Sequence, residues 1–140
     1  MSRPPNNGEP STRPDLTGYL GRWVRVVVDR PLGSRHLRHP DLRYPLNYGF
    51  LPGTVAGDGA PIDAYVVGCD EPLAERSGVV VAVVLRADDA EDKLVVAADG
   101  RRRSAGEIAT LVAFQERFFA SRVVGAEDEA AAAVPHGEPG

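Results

Sequence analysis

Four short runs rich in β-branched residues, each closed off by turn chemistry, constrain this chain most: Trp23 to Asp29 (WVRVVVD), Ile62 to Val67 (IDAYVV), Val79 to Arg86 (VVVAVVLR) and Lys93 to Ala97 (KLVVA). Side chains branched at Cβ suit a pleated surface, so all four read as strands, and a fifth is expected around Phe50 to Val55. Pro31-Leu32-Gly33, Leu51-Pro52-Gly53, Gly57-Asp58-Gly59 and Asp99-Gly100 supply the turns. With 15 Gly and 12 Pro among 140 residues, a helical bundle is excluded. One helix is expected, because Ser104 with Glu107 forms a capping box ahead of a stripe of Ile108, Leu111, Val112, Phe118 and Phe119. No βαβ alternation is visible. The economical architecture is mainly β (α+β), an OB-like five-stranded barrel, closed or nearly so, with one long C-terminal helix.

Composition sets the domain limits. Residues 1–15 are rich in Pro, Asn, Gly and Ser, and residues 125–140 are acidic and Ala-rich without an aromatic residue. Such segments bury too little apolar surface to offset their ordering entropy, so both read as disordered tails around one domain at 16–124. Sixteen Lys and Arg against 20 Asp and Glu give a net charge of −4, which favours a small partner over nucleic acid. The lone Cys69, the absence of an apolar leader between Met1 and Pro14, and the lack of any apolar run near 18 residues lead to the expectation of a cytoplasmic protein without a membrane span. Cys69 and Trp23 read as core or near-core residues.

Two acidic groups stand out against this background. Asp63 sits inside a strand, where Asp is disfavoured, five residues after Asp58 in an Asp-Gly turn. The two carboxylates are placed to converge at a barrel mouth, or else Asp58 serves only its turn. The cluster Asp88-Asp89-Ala90-Glu91-Asp92 ends at Lys93 and is either a solvated hairpin loop or the other half of a site. Together the clusters would make an oxygen-only site of the kind that selects Mg²⁺, with Mn²⁺ as the alternative. Mg²⁺ usually binds through carboxylates and substrate phosphates together, so a phosphorylated substrate is expected. The basic segment from Arg30 to His39 supplies Arg35 and Arg38 as a phosphate clamp, with His36 and His39 as phosphate or solvent contacts.

Tyr44-Pro45-Leu46-Asn47-Tyr48-Gly49-Phe50, then Asp58-Gly59-Ala60-Pro61-Ile62-Asp63, then Asp89 to Lys93 resemble, in order and spacing, the signature of the family I soluble inorganic pyrophosphatases. The match covers about residues 23–97. The resemblance implies an OB-like barrel with a C-terminal helix and Mg²⁺-dependent hydrolysis of pyrophosphate to two phosphates. It implies that Asp58 and Asp63 are the first and last metal carboxylates of a three-Asp motif. Asp89 and Asp92 would be the metal carboxylates of the following loop, with Asp88 in place of Asp89 if that loop aligns one residue differently. Lys93 falls close to a phosphate-binding Lys, Tyr48 matches the tyrosine of the signature, Asp29 takes the place of an acidic residue in the first strand, and Arg35 is the nearest match to another phosphate-binding Lys. Catalysis would thus rest on Asp58, Asp63 and Lys93, and substrate binding on Arg35, Tyr48 and Lys93. A homo-oligomer is left open.

The departures are specific. Ala60 stands where the family has its middle Asp, Phe118 and Phe119 stand where it has a phosphate-binding Tyr-Lys pair, and the segment between Arg35 and Tyr44 is shorter. Two other outcomes therefore stay open beside inorganic diphosphatase: a hydrolase of another phosphoanhydride such as a nucleotide, and a metal-phosphate binding module of weak activity.

Overall fold

A computed structural model describes residues 15–56, 59–87, 91–125 and 132–134. Asp15 caps a 3₁₀ turn at Leu16–Tyr19 by accepting from Thr17 N, and the turn leads into β1 (Trp23–Arg30). The strands β2 (Asn47–Leu51), β3 (Ile62–Val67), β4 (Glu75–Arg86) and β5 (Lys93–Ala97) follow, then α1 (Ala105–Glu116), β6 (Ser121–Gly125) and β7 (Ala132–Ala133).

The first five strands run in the order β1-β2-β3-β5-β4, and pairing of β1 with β4 from Trp23↔Val79 to Val27↔Glu75 closes them into a barrel. Only β3 and β5 run parallel among these pairs. This is the expected OB-like barrel, and closure leaves its five strands without a free edge. Gly49 lets β1 and β2 approach: a Cβ there would overlap the carbonyl of Val27.

Alternation along the strands sorts the core into two sets. Val26, Leu51, Ile62, Ala64, Val66, Val80, Val83, Leu94 and Val96 pack together in one. Tyr65, Val67, Val84, Val95 and Ala97 face the other way and pack with Ile108, Ala109 and Val112 of α1. Val80 and Val83 share a set although they are three residues apart, because a bulge between Val80 and Ala82 shifts the alternation. Asp63 and Lys93 belong by parity to the face of Tyr65 and Val95, and α1 therefore decides what covers them.

Several expectations need adjusting. The strand expected at Phe50 to Val55 lies earlier, at Asn47–Leu51, because Leu51-Pro52-Gly53 turns the chain. Ser104 Oγ accepts from Glu107 N as expected of the cap, but α1 stops at Glu116, so Phe118 and Phe119 occupy the turn after it instead of extending the stripe. Beyond that turn β6 pairs with β4, and β7 pairs with β6. The expected tail from 125 thus includes a short strand at Ala132–Ala133, and Val134 is buried against α1 and β6, which gives this stretch the apolar anchor its composition did not suggest. Trp23 is 73% exposed, not core, because it opens β1 at the barrel's end, and Cys69 is partly exposed in a loop. No helix among the described residues is long and apolar enough to cross a membrane.

Candidate active site

Lys93 opens β5 with its side chain only 3% exposed, an expensive position for an ammonium without partners. The partners are carboxylates: Nζ lies 3.1 Å from Asp63 Oδ2, on the neighbouring strand β3, and 3.7 Å from Glu91 Oε1. It also sits 5.4 Å from the centre of the Tyr48 ring, on β2. Burial, followed by the charge and hydrogen bond of Asp63, holds the Tyr48 hydroxyl protonated well above its ordinary range. These residues open into a cavity of about 350 Å³ that Asp29, Arg30 and Arg38 also line. Burial raises the Asp29 carboxyl above its usual range; Arg30 opposes the shift and the nearby Asp63 carboxylate adds to it. The cavity holds acid and base groups at one spot, and at Asp29 the attraction of Arg30 outweighs the repulsion of Asp63, so burial is what leaves the carboxyl raised.

A hydrogen-bonded frame behind the cavity fixes its walls. Glu116, fully buried at the end of α1, takes Arg86 Nε and Nη2 on its two oxygens, each at 2.9 Å. Tyr65 and Ser121 hydroxyls donate to the same carboxylate at 2.6 and 2.7 Å. Burial alone would raise this carboxyl, but the Arg86 bonds and charge, with Tyr65 and Ser121, together hold it below its usual value, so Glu116 is ionised. Gln115 Nε2 donates to the Tyr65 hydroxyl, and its Oε1 accepts from the Tyr44 hydroxyl. His36 Nδ1 accepts from the backbone N–H groups of Arg38 and His39, so its other nitrogen, Nε2, is the donor to Gln115 Oε1 at 3.0 Å. One polar chain thus runs from the His36 loop through α1 to Arg86, and Arg86 Nη1 reaches Glu91 at 3.3 Å.

Of the residues the sequence singled out, Asp63, Tyr48 and Lys93 meet in this cavity, and Asp29 joins them. Asp58, Asp88 and Asp89 lie outside the described residues. Asp92 is placed differently: it is buried, its Oδ1 accepts from Arg86 N at 2.9 Å, and it lines a neighbouring cavity with Leu85 and Val134. Glu91 faces the Lys93 side instead. Arg35 is exposed and outside the cavity, its backbone bridged to Arg43, whereas Arg30 at the end of β1 and Arg38 of the following loop line it. Arg86, Glu91, Gln115 and Glu116 were not singled out. Strand parity was the available signal for Glu91, because a residue two before Lys93 points to the same side. For Glu116 the signal was helical spacing, four residues after Val112 on the buried face.

Among the described residues no three His, Cys, Asp or Glu side chains form a metal cage. The acidic donors that line the cavity, Asp29, Asp63 and Glu91, are hard oxygens, and its imidazoles, His36 and His39, lie in the loop held against Gln115 and Phe118. That set fits a cation such as Mg²⁺, which is commonly held by one or two carboxylates and completed by phosphate oxygens and water.

Comparison with known proteins agrees with the motifs. The sequence model of the family described as inorganic pyrophosphatase matches residues 25–121. The chain is 46% identical over 68 residues to an inorganic pyrophosphatase of Aeropyrum pernix, covering 49% of this chain and 34% of that protein. It is 45% identical over 47 residues to one from Ralstonia nicotianae, covering 31% and 27%. The matched part thus spans about a third of the length of these curated relatives. Among solved structures, the inorganic pyrophosphatase of Ehrlichia chaffeensis superposes with a TM-score of 0.49 at 25% identity, over 56% of this chain and 62% of that one.

Proposed function

The chain belongs to the inorganic pyrophosphatase family, and we propose from that premise that it hydrolyses inorganic pyrophosphate to two phosphates with Mg²⁺ at the Asp63–Lys93 cavity. The observation that carries this reading is the meeting of a buried Lys93 with Asp63, Glu91 and Tyr48 in one opening lined further by Arg30. A diphosphate is a compact polyanion, and its recognition needs cations beside donors that stay protonated. Lys93 and Arg30 supply the charge, and Tyr48 supplies an O–H that does not ionise at neutral pH.

Asp63, Asp29 and Glu91 would hold the metal, together with Asp58 and Asp89 as the family resemblance implies. Mg²⁺ there would neutralise phosphate charge and acidify the water that attacks phosphorus. Asp63 is within reach of both tasks, holding cation and accepting the water's proton, because Ala60 offers no carboxylate in the same loop. Lys93 shifts from its carboxylate partners toward a phosphate oxygen when substrate enters, stabilising the charge that builds on the leaving phosphate. A cytoplasmic setting, in keeping with a single Cys69, is part of the proposal.

Phosphate release from pyrophosphate by the wild type, Asp63→Asn and Asp92→Asn tests this assignment. Asp63→Asn is expected to lower kcat/KM on the order of 10²-fold or more, and Asp92→Asn far less at equal folded fraction. A larger loss in Asp92→Asn than in Asp63→Asn would move the site to the Asp92 cavity. Binding of phosphate with Mg²⁺ but no release of product would make the protein a binding module.

A further inference from the structure

Two contact clusters line the cavity as unlike ends: Lys93 with Asp63 and Glu91, and a rim of His36, Leu37, His39 and Phe118, with Arg30 acting on both Asp29 and His36. A bare diphosphate uses only the first, since its oxygens gain nothing from an apolar wall that displaces their water.

The rim is built to be planar and rigid. His39 and Phe118 stack with centroids 4.2 Å apart and planes 8° from parallel, and His36 stacks on Tyr44 at 5.5 Å and 10°. The two backbone N–H bonds to His36 Nδ1 and the Nε2 bond to Gln115 lock the loop that carries these rings. Phe118 is nonetheless 37% exposed and Leu37 73% exposed, two of the most exposed large apolar side chains among the described residues. Arg117 lies 5.1 Å from the Phe118 centroid, so the open apolar surface is the edge of the stacked pair together with Leu37. Exposed Arg38 beside them makes no ion pair among the described residues.

A ligand that matches both ends carries a diphosphate and a flat aromatic group a few bonds apart. We propose that the cavity accepts a nucleoside diphosphate, its phosphates at Lys93 and its base against the His39–Phe118 edge and Leu37. The assignment rests on the phosphate-binding reading of the Lys93 end given above. Hydrolysis of such a ligand would join a water oxygen to the terminal phosphorus and break that atom's bond to the bridging oxygen. The bridging oxygen would leave with the electron pair on the nucleoside monophosphate, and the proton that water loses would pass to solvent. Removing about 50 Å² of apolar surface from water along the Phe118 edge and Leu37 corresponds to roughly tenfold in affinity, which sets the size of the effect.

Calorimetric titration of the full chain with Mg²⁺ and either ADP or ribose 5-diphosphate, which lacks the base, separates the two ends. The expected result is about tenfold tighter binding of ADP, with that advantage reduced severalfold in Phe118→Ala and in Leu37→Ser. The second change, on a surface side chain, leaves folding intact. Equal affinity for the two compounds, or an ADP advantage that both variants preserve, would overturn the base site; so would failure of both to bind. Phosphate release from inorganic pyrophosphate, measured alongside, distinguishes the readings: release with equal affinities leaves the hydrolase standing without the base site. Tighter ADP binding without release from either compound keeps the base site and removes the hydrolase.

Discussion

Lys93 is central to the proposed site, because its buried side chain lies between the Asp63 and Glu91 carboxylates, which an apolar replacement would leave without that cation. Lys93→Met should lower kcat/KM for pyrophosphate on the order of 10²- to 10³-fold, measured by phosphate release, because the variant removes one preorganised charge from the developing leaving group. Asp63 and Lys93 were legible in the sequence, the first as a carboxylate inside a strand and the second as a cation at the start of one. The choice of Asp92 over Glu91 was not, since four acids in five residues look alike until the parity of β5 sorts them. Arg35 failed for a related reason: Arg30, Arg35, Arg38 and Arg43 are equivalent as a list of residue types, and the Arg35–Arg43 bridge decides which of them face the cavity. Glu116 carries a stability role of its own. Glu116→Gln strips the countercharge from buried Arg86 and should cost about 3–5 kcal/mol in denaturant unfolding, as when one member of a buried pair is removed. Since the folded-state pKa of Glu116 lies below its unfolded value, its contribution is present above about pH 4.5 and fades as the pH falls through that lower value. The acid limb of the wild-type stability curve should therefore flatten in Glu116→Gln.

At the level of elements, the barrel was legible because its strands are runs of Val and Ile between strong turns, and alternation told one face from the other. The pieces that were not legible take their structure from partners. β6 contains Arg122 and ends in Gly125, yet it pairs with β4 along five residues; β7 is two alanines that pair only because β6 is there. The end of α1 was overestimated because Phe118 and Phe119 continue an apolar stripe in sequence, whereas the chain has to leave the helix to bring Ser121 beside Arg86 on β4. Val134→Ala should destabilise the fold by about 1–2 kcal/mol, as expected for removing two buried carbons, and thermal or urea unfolding will read it. A change within a few tenths of a kcal/mol would return residues 132–134 to the status of a tail. Ser104→Ala, which removes the acceptor for Glu107 N, should cost about 1 kcal/mol in the same assay.

Across the whole molecule, a barrel closed by β1 and β4, a helix laid on its outer face and one polar chain from His36 to Glu91 bring Asp63, Lys93 and Tyr48 to a common opening in an otherwise acidic protein. The activity proposed for this opening is metal-dependent phosphoanhydride hydrolysis. Its most direct test is phosphate release from inorganic pyrophosphate by the purified chain, with Mg²⁺ and then with excess EDTA. Turnover that requires Mg²⁺, stops on chelation and is not well restored by Zn²⁺ is the predicted result, because the carboxylates lining the cavity are hard oxygen donors. Turnover that persists in excess chelator, or none at all from a folded protein supplied with Mg²⁺, would contradict it.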